Sequence, residues 1–169
     1  MKKPVDIEKH RQNYNEFVQS REQVILSMID EEGKPFTSIA PFVRKDGKFY
    51  IYISQIADHY QLMESNEYVD VFLHGDQSET TNKFAVERAR WCCTAENIGN
   101  DGHEDLFALF SGAFGENIVK LLRGLDFSIF ELTPLKGRYV AGFGLAFDLD
   151  VEGFHHVVID KKKDDKGGE

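Results

Sequence analysis

Residues 137–150 read GRYVAGFGLAFDLD, and the way this segment folds decides the architecture of the whole chain. Its alternation describes one closing β-strand. Tyr139, Ala141, Phe143, Leu145, Phe147 and Leu149 fall on one face, and Val140, Gly142, Gly144, Ala146 and Asp148 on the other. The first face is a core face. The second is nearly bare backbone at Gly142 and Gly144, which leaves two readings. Either the glycines let a barrel strand bend sharply, or a broad planar group or a second subunit lies against them.

Upstream of this strand the same period recurs. QVILSMID (residues 23–30) is β-branched and apolar and stops at the turn signal EEGKP. FTSIAPFV and KFYIYIS flank Asp46-Gly47, a strong short hairpin signal. YVDVFL, RWCCTAENI and DFSIFELTP are further strands. Ile7, His10, Tyr14, Phe17 and Val18 are spaced for an amphipathic opening helix, and ADHYQLMESN forms a short helix. In EDLFALFSGAFGENIVKLL, the residues Phe107, Phe110, Phe114, Ile118 and Leu121 fall on one helical stripe. Six or seven strands in series, with two or three helices and no strand–helix alternation, describe a mainly β, α+β protein. The strands close into a small antiparallel barrel with helices at its ends. The expected organisation is a single domain over 1–155, followed by a charged tail, 156–169, containing DKKKDDKGGE.

Composition narrows the function. A formal net charge of −9 argues against nucleic-acid binding, which needs clustered Lys and Arg. No apolar run approaches the length of a membrane span, and no hydrophobic segment follows the lysines of MKKPVDIEKHRQ. A cytoplasmic protein with no membrane partner is expected. Cys92 and Cys93 are adjacent, so in a strand they face opposite ways and favour neither a mutual disulfide nor a shared metal site.

The ordered segments SIAPFV, YISQIADHYQLMESN, KFAVERARW and FGENIVKLLRGLDFSIFELTPLKGRYVAGFGLAF resemble the HugZ/HutZ haem-utilisation family. That family is a branch of the pyridoxamine 5'-phosphate oxidase-like split-barrel proteins. The resemblance covers about residues 12 to 149. It implies an FMN-binding-protein-like split β-barrel, a homodimer, and ligand sites at the subunit interface that hold haem rather than flavin. The function implied is haem binding and haem degradation in iron acquisition. An FMN-dependent oxidoreductase and a non-catalytic haem carrier are the alternatives.

The resemblance also implies site residues. Arg88 matches the arginine of the family's FA..R motif, and Arg90 lies two residues on, so in a strand both leave on one face. An anion such as a propionate, or a carboxylate from another subunit, would relieve their repulsion. Asp126 matches an acidic position that hydrogen-bonds the iron-ligating histidine in haem-degrading relatives, which makes it the catalytic candidate. Those relatives take the ligand from a histidine past the GFG.A strand. Here His155 and His156 follow that strand, and the charged tail beyond them has none. Gly142 and Gly144 are candidate cofactor contacts. His59, near the barrel mouth, is another. Flavin relatives hold the FMN phosphate with basic residues at the stretch SQIADHYQ. This chain has Gln55 and His59 there with Asp58 between them, which disfavours FMN.

Overall fold

The computed structural model describes residues 4–158. The chain runs α1 (Ile7–Gln19), β1 (Gln23–Ile29), β2 (Pro35–Lys45), β3 (Lys48–Ser54), α2 (Asp58–Ser65), β4 (Tyr68–His74), β5 (Arg88–Gly99), α3 (Glu104–Phe114), α4 (Glu116–Arg123), β6 (Phe127–Gly142), β7 (Leu145–Asp150) and β8 (Gly153–His156). All pairings are antiparallel, in the order β3-β2-β1-β4-β5-β6-β7-β8, and β3 also pairs with β6. That extra pairing closes six strands into a barrel. A closed ladder leaves no unpaired edge among those strands.

The long strand β6 makes the closure possible. Its first half, Phe127 to Leu132, pairs with β3, and its second half, Gly137 to Gly142, pairs with β7. Along its other side β5 accompanies it throughout, with register shifts at Cys92/Cys93 and Asn97/Gly99. Bulges of this kind bend a strand and let one element serve two neighbours.

Alternation fills the barrel. Val24, Leu26 and Met28 of β1, Val69, Val71 and Leu73 of β4, and Ala89, Trp91 and Cys93 of β5 point inward and are buried. Helix α1 covers one end with Tyr14, Phe17 and Val18, at i, i+3 and i+4. The side chain of Asp6 caps it by accepting from the Lys9 backbone N–H at 3.0 Å. Strand β3 is buried on both faces. Phe49, Ile51 and Ile53 enter the barrel, while Tyr50 and Tyr52 pack under Phe107 and Phe110 of α3 in a second, smaller core. Each of these large side chains contributes roughly 1.5–3 kcal/mol by leaving water.

The β2–β3 hairpin turns at Asp46-Gly47 as expected, with φ of 51° and 79°. Cys92 and Cys93 are free and lie on opposite faces of β5.

Three expectations are corrected. Residues 137–150 are not one strand. They are the end of β6, a tight turn at Phe143-Gly144, and β7, with Gly144 at φ 71° and Phe143 78% exposed. The stripe from Phe107 to Leu121 is broken by Gly115 (φ 103°), so Ile118 and Leu121 are exposed instead of joining Phe107 and Phe110 in the core. Strand β8 was not expected, and it carries pairing through His156, into the range assigned to the tail. Residues 159–169 of that range lie outside the described residues.

Candidate functional site

The outer face of the sheet carries one continuous cross-strand row. Ile39 faces Ile25, Ile25 faces Phe72, Phe72 faces Arg90, Arg90 faces Arg138, Arg138 faces Asp148, and Asp148 faces His155. Its β2-β1-β4 end is apolar and its β5-to-β8 end is charged. Arg88 and Lys136 flank the cationic part on β5 and β6. Phe72, Arg88, Arg90, Lys136, Arg138 and Asp148 line a groove of about 690 Å³, with Phe72, Val140 and Leu149 as its apolar walls; Ile25, Ile39 and His155 lie outside its lining.

The charges along the row are partly matched. The Asp148 carboxylate accepts from Arg138 Nε at 2.7 Å and Nη2 at 3.2 Å, and Arg90 Nε lies 3.5 Å from Asp70 Oδ2. Arg88 donates from Nη1 to the Val86 carbonyl at 3.0 Å and makes no ion pair among the described residues, nor does Lys136. The groove therefore presents unneutralised guanidinium and ammonium groups beside apolar surface. Such a surface suits a flat, apolar body bearing carboxylates.

His155 stands at the end of this row, half exposed. Its Nε2 lies 3.3 Å from Asp150 Oδ1. The backbone N–H groups of Glu152 and Gly153 donate to that carboxylate, at 2.8 and 3.0 Å. These donors first, and His155 after them, hold Asp150 below the usual carboxylate range. A carboxylate on one ring nitrogen fixes the imidazole's orientation and leaves Nδ1 free. With strands about 4.8 Å apart, His155 sits roughly 10 Å from Arg138 and roughly 14 Å from Arg90. His156, one residue on, takes the inner face and packs on the Phe147 ring at 5.3 Å between centroids. Strand alternation thus separates the two histidines.

Asp126 lies at the α4–β6 turn, exposed, at the other end of β6. Ser54 Oγ contacts both its carboxylate oxygens, at 3.0 and 2.9 Å, and its carbonyl accepts from the Gln55 N–H at 3.1 Å. Exposed Ile56 and Leu125 flank it. Twelve residues of β6 separate Asp126 from Arg138, a span of roughly 40 Å in an extended strand. Asp126 and His155 of this chain are therefore not brought together.

His59 Nδ1 lies 3.0 Å from Ser38 Oγ at the barrel end, on the strand face opposite Ile39. Burial pulls its pKa below 6.5 against the opposing charge of Asp58, so the ring is neutral at neutral pH. It does not join Arg88 and Arg90. Gly142 and Gly144 form the β6–β7 turn, with open space beside both. They offer no flat strand face.

Sequence reading missed Arg138, Lys136 and Asp150. Nothing in their local patterns marks them; only the β6–β7–β8 pairing aligns them with Arg90 and His155. Among the described residues no cluster of three or more His, Cys, Asp or Glu side chains is arranged to hold a metal ion, and no helix is long and apolar enough to cross a membrane.

A closed six-stranded antiparallel barrel, with one strand shared between the barrel and an added hairpin, defines a split-barrel protein. Residues 11–141 match the family model described as pyridoxamine 5'-phosphate oxidase, and the chain belongs to that family, in its HutZ/HugZ branch. It is 31% identical over 159 residues to the protein named heme oxygenase HutZ of Vibrio cholerae, covering 90% of this chain and 89% of that one. The solved structure of Campylobacter jejuni ChuZ superposes with a TM-score of 0.84 at 27% identity, over 92% of this chain and 65% of that chain. A solved structure of Vibrio cholerae HutZ, described there as a haem storage protein, gives 0.67 at 32% identity, over 73% and 88%.

Proposed function

We propose that this protein binds haem on the groove of its outer sheet face, as its relative HutZ is named for doing. The observation that carries the reading is the row from Phe72 through Arg90 and Arg138 to His155. Apolar surface, cations that would meet propionates and an oriented imidazole lie along one row of the same sheet face. Arg88, Arg90 and Lys136 would anchor the propionates, His155 would offer Nδ1 to the iron, and Asp150 would orient its ring. Bound there, haem supplies the iron chemistry, including any activation of O₂. The chain's own residues anchor, orient and shield it. Asp126 lies too far along β6 to serve a haem held by its own chain, and would meet one held by a second protomer.

The β3–α2 turn favours haem over FMN. Gln55, Asp58 and His59 stand there; His59 is neutral, and Asp58 adds negative charge where a phosphate would need positive. Titration of the apo-protein with haemin tests the assignment. A Soret band that forms with wild type and is shifted or lost in His155→Ala is expected, and an unchanged spectrum in that variant overturns the ligand. Ring opening is tested on the same complex with ascorbate and O₂, a bile-pigment-like product marking turnover.

We infer further that the working unit is a homodimer. Ile39 (54% exposed), Ile29 and Tyr68 (both 49%), with half-buried Ile25 and Phe72, form an apolar patch on β2, β1 and β4. A second copy is the occupant that would cover the patch and bring another Asp126 to the groove. Light scattering at micromolar concentration is expected to give twice the chain mass, and Ile39→Glu to shift it toward the monomer. A monomeric wild type overturns this reading.

A further inference from the structure

The arginines of the groove do not offer equally free edges. Arg90 of β5 and Arg138 of β6 are direct cross-strand partners, so two guanidinium groups stand side by side on the outer face. Each is drawn to a resident carboxylate on the strand beyond it. Arg90 Nε lies 3.5 Å from Asp70 of β4, and Arg138 donates to Asp148 of β7 at 2.7 Å from Nε and 3.2 Å from Nη2. The two contacts differ in kind. Asp70 makes one long contact, whereas Asp148 fills a complete two-nitrogen edge, the geometry by which arginine grips a carboxylate. They differ in place as well: Asp148 is part of the groove lining and Asp70 is not.

A ligand carboxylate that approaches Arg138 therefore finds this edge taken and meets a like charge beside it. Arg88 and Lys136, in the same lining, make no ion pair among the described residues and stay open to it. The resident carboxylate is displaceable. The Arg138 and Asp148 side chains are 56% and 46% exposed, and an ion pair so open to water adds little to stability. Strand β7 is held by its pairing with β6 and β8 and by fully buried Phe147, not by this charge. We infer that Asp148 is an internal competitor for Arg138: its carboxylate occupies the edge that a ligand carboxylate would take, and it holds the groove's affinity for carboxylate-bearing ligands below what the cations allow. The inference rests on the groove being the haem site. A haem propionate reaches Arg138 only by displacing Asp148, and the returning carboxylate favours release.

Protoporphyrin IX is the probe for this competition, because it carries the propionates of haem without iron, so ligation by His155 does not enter. Binding to apo-protein is read as quenching of Trp91, the chain's one tryptophan, which lies against Gly137 of the groove lining. Asp148→Asn keeps the shape of the side chain and removes its charge. It is expected to bind the porphyrin about two- to fivefold more tightly than wild type, with a steeper loss of affinity on adding salt. In the double variant Asp148→Asn/Arg138→Gln affinity is expected to return to about the wild-type value, because the released cation is gone. Asp70→Asn makes the same change of charge outside the lining and is expected to give a smaller gain. Unchanged or weaker binding by Asp148→Asn, the result of a merely structural role, overturns the inference. So does a gain that survives Arg138→Gln, or an equal gain from Asp70→Asn, which would mark a general charge effect. Absence of saturable quenching in wild type overturns the groove as the haem site, and this inference with it.

Discussion

His155 and Asp150 meet across the two-residue β7–β8 turn, Nε2 to Oδ1 at 3.3 Å, at the end of a row that begins with the exposed side chain of Ile39. The turn itself supplies two backbone N–H donors to the same carboxylate. The imidazole is therefore held by an acceptor whose own position is fixed. Asp150→Asn keeps the shape of the turn and removes the anion. It is expected to weaken haemin binding by about tenfold and to alter the Soret position less than His155→Ala does. Haemin titrations of the two variants side by side measure the difference.

The cationic groove predicts a separate response. Arg90 is exposed, and its salt bridge to Asp70 is long at 3.5 Å. Arg90→Ala is expected to change folding stability by no more than about 0.5 kcal/mol. Haemin affinity is expected to fall and its salt dependence to flatten, because a propionate contact is lost. Urea unfolding and haemin titration at two ionic strengths check both halves.

Gly137 is predicted to be intolerant of any side chain. A Cβ there meets Trp91 Cδ1 at 2.6 Å and comes closer still to the Arg90 carbonyl oxygen, which is backbone and cannot swing away. Gly137→Ala is expected to cost roughly 1–3 kcal/mol, read as a lower urea midpoint with an unchanged slope. At Gly142, beside which there is open space, the same change is expected to cost far less.

His59 gives a pH dependence with a defined sign. Burial lowers its pKa below 6.5 in the folded state, so the unfolded chain binds the proton more readily. In the window below 6.5 the unfolded state therefore holds more protons, and stability falls as pH falls toward the folded pKa. His59→Gln is expected to flatten this part of the curve relative to wild type. Urea midpoints of both proteins between pH 5 and 8, compared by difference, isolate this residue from the other histidines.

Much of this fold can be read from residues alone, because its strands alternate cleanly and Asp46-Gly47 dictates a hairpin. The misreading at residues 137–150 has an instructive cause. Tyr139 and Phe147 are eight residues apart, an even number, so a continuous strand and a hairpin both place them on one face. They are in fact direct cross-strand partners. Only Phe143 distinguishes the two cases, and it is exposed at the turn between Gly142 and Gly144. Likewise Phe107 and Phe110 read correctly as core, whereas Ile118 and Leu121 do not, since the positive φ of Gly115 resets the helix direction.

The site was less legible. Arg88 and Arg90 share a face by local alternation, and that follows from the residues. The alignment of Arg90 with Arg138, Asp148 and His155 depends on the combined register of three pairings across β5, β6, β7 and β8, which no local pattern encodes. Asp126 can be recognised as a position, but its own protomer gives it Ser54 and no histidine.

The most direct test of the central claim is a paired titration of apo-protein with haemin and with FMN, followed by visible absorbance. Haem binding at the groove predicts a sharp Soret band saturating at about one haemin per chain, with no response to FMN. Stoichiometric FMN binding alongside diffuse, unsaturable haemin absorption would contradict it.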